Sequence, residues 1–246
     1  MHSINYEFNK NIGLDFFDIT VSKNNEITIP YITMNNRAKV HRAVMMDMLA
    51  KHDILKNECI TWRNLCIHYK FQYWSQEILH MDQAEKFISQ DILPRQYATA
   101  FMQLVTESSP DIEKTAMPLF FNKPFLVAGP VNFHKKLEEL GFKLYDELFD
   151  YSFDSEPDMH TRYELIAKTM LPYINKDPAE LTHIYNSIFE KCVYNKKLAM
   201  RLATDSSKRP NLIWEELILH QYNNNTPSRP ADINNFMLTN ENAYRF

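Results

Sequence analysis

The stretch Phe101–Phe142, FMQLVTESSPDIEKTAMPLFFNKPFLVAGPVNFHKKLEELGF, decides the fold. Phe101 to Val105 is an apolar run that gives way to Thr106, Glu107, Ser108 and Ser109, the pattern of a buried strand followed by a polar loop. Asp111 is placed to cap a helix running through Glu113 and Lys114 to Phe121, with Glu113 in a first turn where the helix dipole favours a carboxylate. Pro124 restarts the chain as a second apolar run, Phe125 to Ala128, closed by Gly129 and Pro130. Phe133, Leu137 and Leu140 then recur at helical spacing, and Gly141 stands where a helix C-terminal glycine belongs. Strand, helix, strand with continuous apolar strands predicts a parallel sheet covered on both faces. Polar residues directly after such a strand lie at its carboxyl end, where open α/β sheets bind ligands.

Upstream of that block, Pro30 punctuates the chain and Tyr31 to Met34 reads as the first strand of the sheet. Asn35 to Arg42 follows and opens a helix whose apolar face is Val44, Met45, Met48 and Leu49, ending near Asp53. Arg37, Lys39, His41 and Arg42 at this junction suit a diphosphate, because cations and free backbone N–H groups meet there. A solvated basic first turn accounts for the same residues without a ligand. Residues 1–30 alternate enough to give a small hairpin or leading strand, and a short strand is expected within Asn57 to Trp62. Trp62, Tyr69, Phe71, Tyr73 and Trp74 form an aromatic cluster that serves either to stack on a base or sugar ring or, the better fit, to pack the core.

Downstream, Tyr145 to Pro157 is acidic and aromatic and is expected to wrap the sheet edge. Residues 158–221 read as a helical extension with one helix stopping near Pro172, a second starting after Asp177-Pro178 and a third around Trp214. Residues 222–246, with an Asn run, Pro227 and Pro230, read as an extended tail. The expected organisation is therefore 1–30, then a sheet domain over 31–157, then 158–221 and 222–246.

Composition narrows the function classes. The 246 residues are 45% hydrophobic and 13% aromatic, enough to bury a sizeable core. A net charge of −4 argues against a broadly basic nucleic-acid surface. With only Gly13, Gly129 and Gly141, the chain lacks G-x-G-x-x-G and P-loop fingerprints, which excludes ordinary dinucleotide oxidoreductases and P-loop kinases. Cys59, Cys66 and Cys192 form no C-x-x-C pair, which fits a reducing compartment. Without a leader or a membrane-length apolar run, a soluble cytoplasmic protein with no membrane partner is expected. His68 and His80 lack metal-ligand spacing, and no H-E-x-x-H or D-x-D motif occurs, so no metal and no cofactor is expected.

Glu113-Lys114, Pro118-Leu119, Lys123-Pro124-Phe125-Leu126-Val127 and Gly129 resemble the E-K…P-L…P-hydrophobic-G core of the donor-binding half of GT-B glycosyltransferases. The likeness is to fucosyltransferase-like and exostosin-like enzymes and their phage-encoded relatives. In that phage group the block continues with L-G-F-K and an acidic-aromatic segment, matched here by Leu140-Gly141-Phe142-Lys143, Asp146-Glu147 and Phe153-Asp154. An N-N/R-R-x-x-x-H-R segment at the start of the donor half is matched by Asn35, Asn36, Arg37, His41 and Arg42. The chain departs from the pattern at Asp111-Ile112, where an aromatic or aliphatic residue followed by Thr usually precedes E-K. Asn, Lys, Ile and Tyr are abundant, as A/T-biased coding in a phage or an A/T-rich microbe would give.

The resemblance implies a Rossmann-like parallel sheet with an α-helical C-terminal extension. It also implies a metal-independent transferase that moves a sugar from a nucleotide-sugar co-substrate to an acceptor. Glu113 would hydrogen-bond the ribose hydroxyls, and Asn36, Arg37, Arg42 and Lys114 would hold the donor diphosphate. Glu107 and His41 are the candidates for the chemistry, Glu107 either toward the donor sugar or as a supporting carboxylate. The likeness covers about residues 31–165, so an acceptor half would come from a protein partner or from the helical C-terminal third. For a phage protein working in the host cytoplasm, the acceptor could be a modified DNA base, a virion protein or a host glycan. The alternative is a non-catalytic protein that keeps the glycosyltransferase fold as a structural or interaction module, such as a virion component or a partner-binding subunit.

Overall fold

The computed structural model describes residues 25–35, 39–55, 60–62, 66–75, 97–108 and 114–204. Four strands make a parallel sheet in the order β2-β1-β3-β4, with β1 at Ile29–Asn35, β2 at Ile60–Trp62, β3 at Ala100–Thr106 and β4 at Phe125–Ala128. The register pairs Asn35 with Trp62, Tyr31 with Met102 and Thr106 with Ala128. Every residue of β3 and β4 is buried, which is why both read as unbroken apolar runs. β1 has β2 on one side and β3 on the other, so the winding direction reverses between β1 and β3.

Pro30 lies inside β1 rather than before it. The register with β2 begins only at Thr33, so Pro30 sits at a level β2 does not reach, and its missing N–H breaks no ladder bond there. Ile29 already belongs to β1, and the Ile27 N–H bonds Thr182 Oγ1 at 3.0 Å. The remainder of the expected leading hairpin, residues 1–24, lies outside the described residues, as do Cys59, His80, the helix expected around Trp214 and the 222–246 tail.

Helix α1, Val40–Lys51, follows β1. One apolar face is expected, but Arg42 through Leu49 are buried on all sides. The extra burial comes from two directions: α4, Met159–Ile174, packs along α1, and the 69–74 loop closes over Asp47. The Asp47 side chain is fully buried and accepts from the Tyr69 hydroxyl and the amides of Gln72, Tyr73 and Trp74 at 2.8 to 3.0 Å. Trp62, Phe71 and Trp74 meet edge to face with centroids 5.3 to 6.5 Å apart, and Tyr69 stacks edge-on to Phe71 at 5.1 Å. Of the five rings only Trp62 is fully buried; Tyr69, Phe71 and Trp74 pack on it or on one another while partly exposed, and Tyr73 is exposed.

Helix α2 is only Ala116–Phe120, shorter than the expected 111–121 helix, and Lys114 and Thr115 form a turn before it. Helix α3, Phe133–Glu139, is held at its start by a distant residue. Asp154, in the 3-10 segment Tyr151–Ser155, accepts the amides of His134 and Lys135 and lies 2.8 Å from His134 Nδ1. The other ring nitrogen of His134 accepts the Val127 amide at 3.1 Å, tying β4 to α3. Gly141 ends this element with φ +91°, a conformation glycine adopts without strain.

Helix α4 continues through Pro172 to Ile174, although the proline predicts a stop there; with two residues left in the helix, only the end of the ladder loses a bond. Helix α5, Pro178–Thr204, starts as Asp177-Pro178 predicts. Asp177 Oδ1 accepts the Glu180 amide at 2.8 Å and Glu180 reaches back to the Asp177 amide at 3.4 Å, a reciprocal capping box. Residues Met1–Ala199 form one compact unit and Met200–Phe246 a second. No helix among the described residues is long and apolar enough to cross a membrane.

Candidate functional site

The carboxyl ends of β1 and β3, where the winding reverses, are the place where an open α/β sheet forms a ligand crevice. Two buried polar residues join the strands there. The Thr106 hydroxyl donates to Asn35 Oδ1 at 2.8 Å, and the Asn35 amide nitrogen contacts Thr33 Oγ1 at 3.3 Å and Met46 Sδ at 3.9 Å. The sequence hints at this bridge only through polarity at two strand ends. That Asn35 and Thr106 meet follows from the β1–β3 pairing.

Glu107 is the next residue, and its main-chain N–H extends the ladder to Ala128 O at 3.0 Å. Its side chain is almost completely buried. One carboxylate oxygen accepts the Lys114 amide at 2.7 Å, the Thr115 amide at 3.0 Å and the Thr115 hydroxyl at 3.3 Å. The other accepts Lys114 Nζ at 3.0 Å. Capture of these two amides explains why residues 114–115 turn instead of extending α2 backward. Burial pushes the Glu107 carboxyl above its usual range, while the Lys114 ammonium and the two amides pull against that shift. Gly129 makes room for the arrangement, since a Cβ there would lie 3.3 Å from Glu107 Cβ and 3.2 Å from Val127 Cγ1.

Opposite this turn, α1 brings Arg42 and His41 in its first residues, with Lys39 just ahead. Arg42 is buried and His41 partly so. Burial lowers the His41 imidazole from its ordinary value of 6.5 to about 4, helped by the positive charges of Arg42, Lys114 and Lys39. Among the described residues His41 Nε2 has no hydrogen-bond partner, although it is shut off from solvent.

Of the predicted site residues, Glu107 and Lys114 pair at the carboxyl end of β3, while His41 and Arg42 lie in the first turn of α1, after the carboxyl end of β1. Asn36, Arg37 and Glu113 lie outside the described residues. Sequence reasoning passed over Thr115, whose amide and hydroxyl both serve Glu107; nothing in the local sequence marks it. No group of three or more His, Cys, Asp and Glu among the described residues is arranged to hold a metal ion. A cationic edge with one buried, fully bonded carboxylate can bind an anion and can hold a lysine in a fixed position.

Fold and site together define a mixed α/β protein with a parallel sheet and a buried carboxylate paired with a lysine at its carboxyl edge. No protein-family model matches the chain, and no curated protein or solved structure matches it.

Proposed function

We propose that this chain is a Rossmann-like, GT-B-type donor-binding protein that takes a nucleotide sugar at the β1/β3 edge and transfers the sugar without a metal. The observation that supports the reading is the Glu107–Lys114 pair at the carboxyl end of β3, beside the point where the winding reverses. The departing group in such a transfer is a nucleoside diphosphate, and fixed cations aimed at its oxygens stabilise the charge that develops on it. Lys114 is suited to this because Glu107 fixes its backbone and its ammonium while leaving the side chain 31% exposed. Glu107 is the supporting carboxylate of the lysine. Arg37 and Glu113 join on the strength of the phage-type resemblance, Arg37 at the diphosphate and Glu113 at the ribose. The acceptor and the base that deprotonates it come from a protein partner or another part of the chain.

A second reading is favoured by Glu107 itself. Both of its oxygens are taken up by Lys114 and Thr115, as expected of a site kept for structure in a non-catalytic interaction module. Isothermal titration with UDP, GDP, ADP, CDP and TDP, each repeated on Lys114→Gln and Arg37→Ala, separates the two. The donor reading expects one nucleotide to bind, with each variant weakening it by about ten-fold to 150-fold, since charge-assisted bonds contribute about 1.5–3 kcal/mol. Absence of binding by every nucleotide to the folded protein supports the module.

A further inference from the structure

We propose that Arg162 of α4 is a positioning residue for Lys114: it fixes the exit of β4, the exit of β4 fixes Glu107, and Glu107 holds the lysine ammonium in place. The inference takes Lys114 as the cation of the site from the reading above and names the residue on another element that sets its position.

β4 is the last strand in the order β2-β1-β3-β4, and its ladder to β3 uses Pro124 O and Ala128 O, so the alternate residues turn their main-chain groups outward. Side chains take those groups. The Tyr145 hydroxyl donates to Lys123 O at 3.3 Å, the Val127 amide donates to His134 Nε2 at 3.1 Å, and Arg162 Nε donates to Gly129 O at 3.3 Å. Arg162 is only 6% exposed, and its Nη1 donates to Glu156 O and, at 3.2 Å, to Pro157 O. All three acceptors are main-chain carbonyls, one at the β4 exit and two in the turn before α4, so the planar guanidinium bridges these two stretches of backbone.

The β4 exit meets Glu107 at two points. Ala128 O accepts the Glu107 amide at 3.0 Å, and a Cβ on Gly129 would lie 3.3 Å from Glu107 Cβ, so the glycine backbone abuts the stem of the carboxylate. The carboxylate in turn accepts Lys114 Nζ at 3.0 Å and the amides of Lys114 and Thr115 at 2.7 and 3.0 Å. Hydrogen bonds weaken steeply as their angle and distance depart from the optimum, so a small displacement of Gly129 is felt at the ammonium. An edge strand has a ladder on one side only, and at Gly129 the guanidinium supplies the hold on the other.

Acetylation of the folded chain by N-hydroxysuccinimidyl acetate, read lysine by lysine by mass spectrometry, tests this coupling in wild type, Arg162→Met and Arg162→Lys. Lys176 is the control, being 30% exposed and 3.2 Å from Glu180, much as Lys114 is 31% exposed and 3.0 Å from Glu107. Methionine keeps a buried stem without a donor, and lysine keeps the charge without the fork, so the lysine variant carries the test if the methionine one does not fold. Both are expected to raise the Lys114 rate about five-fold, the factor equivalent to ~1 kcal/mol of lost pairing, with Lys176 unchanged. An unchanged Lys114 rate in either folded variant overturns the proposal. Lys114 and Lys176 rising together also overturns it, because Arg162 would then hold the fold rather than this pair. Failure of UDP, GDP, ADP, CDP and TDP to bind wild type overturns the donor reading instead, and the labelling decides the positioning by Arg162 in either case.

Discussion

Glu107 shows how one side chain can shape the backbone around it. Its carboxylate satisfies two turn amides, a hydroxyl and an ammonium while itself buried, so both its charge and its acceptors are needed. Glu107→Gln replaces one acceptor with a donor facing N–H groups and leaves Lys114 without its partner. The variant is expected to lose about 2–3 kcal/mol of stability in urea unfolding, the range for one partner removed from a buried hydrogen-bonded pair. A loss below about 0.5 kcal/mol, the range of an exposed pair, would show the turn to be held by something else. Glu107 was legible as a polar residue at a strand end. Its function as an anchor was not, because the partners seven and eight residues on are set by how the loop returns to the sheet.

Helix α1 shows the same logic for a longer segment. Its sequence carries an apolar face and a basic start, both of which were readable, but it also carries Asp47, which a surface helix would show to water. Instead the 69–74 loop folds onto that carboxylate with three amides and a tyrosine hydroxyl. Asp47→Ala orphans those donors and should free the loop, costing about 3–5 kcal/mol. The Trp62–Trp74 pair, with centroids 5.3 Å apart, reports the event as a change in tryptophan fluorescence ahead of global unfolding. Unchanged fluorescence and proteolysis of this loop would mean that the aromatic packing alone holds it. By contrast, the start of α5 was legible to the residue. Asp177, Pro178 and Glu180 are local signals, and local signals act without help from the rest of the fold.

The folded protein as a unit also carries a pH signature remote from the candidate site. Lys123, at the amino end of β4, is fully buried with its ammonium donating to Ala98 O at 2.9 Å and to Ala100 O, and lying 5.2 Å from the centre of the Tyr185 ring. Burial lowers it from 10.5 to about 7, with Cys192 nearby the only opposing influence resolved. Between pH 7 and pH 10.5 the unfolded chain therefore binds a proton that the folded chain does not, so stability rises with pH across that window. Cys192, which burial pushes from 9.0 to about 12, offsets this rise from about pH 9, and buried Tyr97 and Tyr145, both held well above their usual 10, reverse it past pH 10, because in each case the unfolded chain ionises first. Urea midpoints should climb from pH 7 toward pH 9 with a slope of at most about 1.4 kcal/mol per unit, and Lys123→Met should remove that climb. A climb that survives the substitution would assign it to another group.

The sequence determined the elements whose causes are local: the apolar runs of β3 and β4, the glycine stop at Gly141, the capped start of α5, and the basic opening of α1. Those follow from propensity, hydrophobic period and side chains a few residues apart. Tertiary structure decided where β1 sits between β2 and β3, that Pro30 and Pro172 lie within their elements, and that α2 begins only at Ala116. It also decided that Asn35 meets Thr106, that Asp154 holds the start of α3, and that Glu107 captures the amides of Lys114 and Thr115. The Asn35–Thr106 and Asp154–His134 contacts join residues 71 and 20 positions apart, brought together by parallel strand order and burial, whereas the Glu107 turn joins residues seven and eight apart. Local sequence cannot encode that order, because a buried apolar strand offers much the same surface to either neighbour and the choice is made by the packing of the whole sheet.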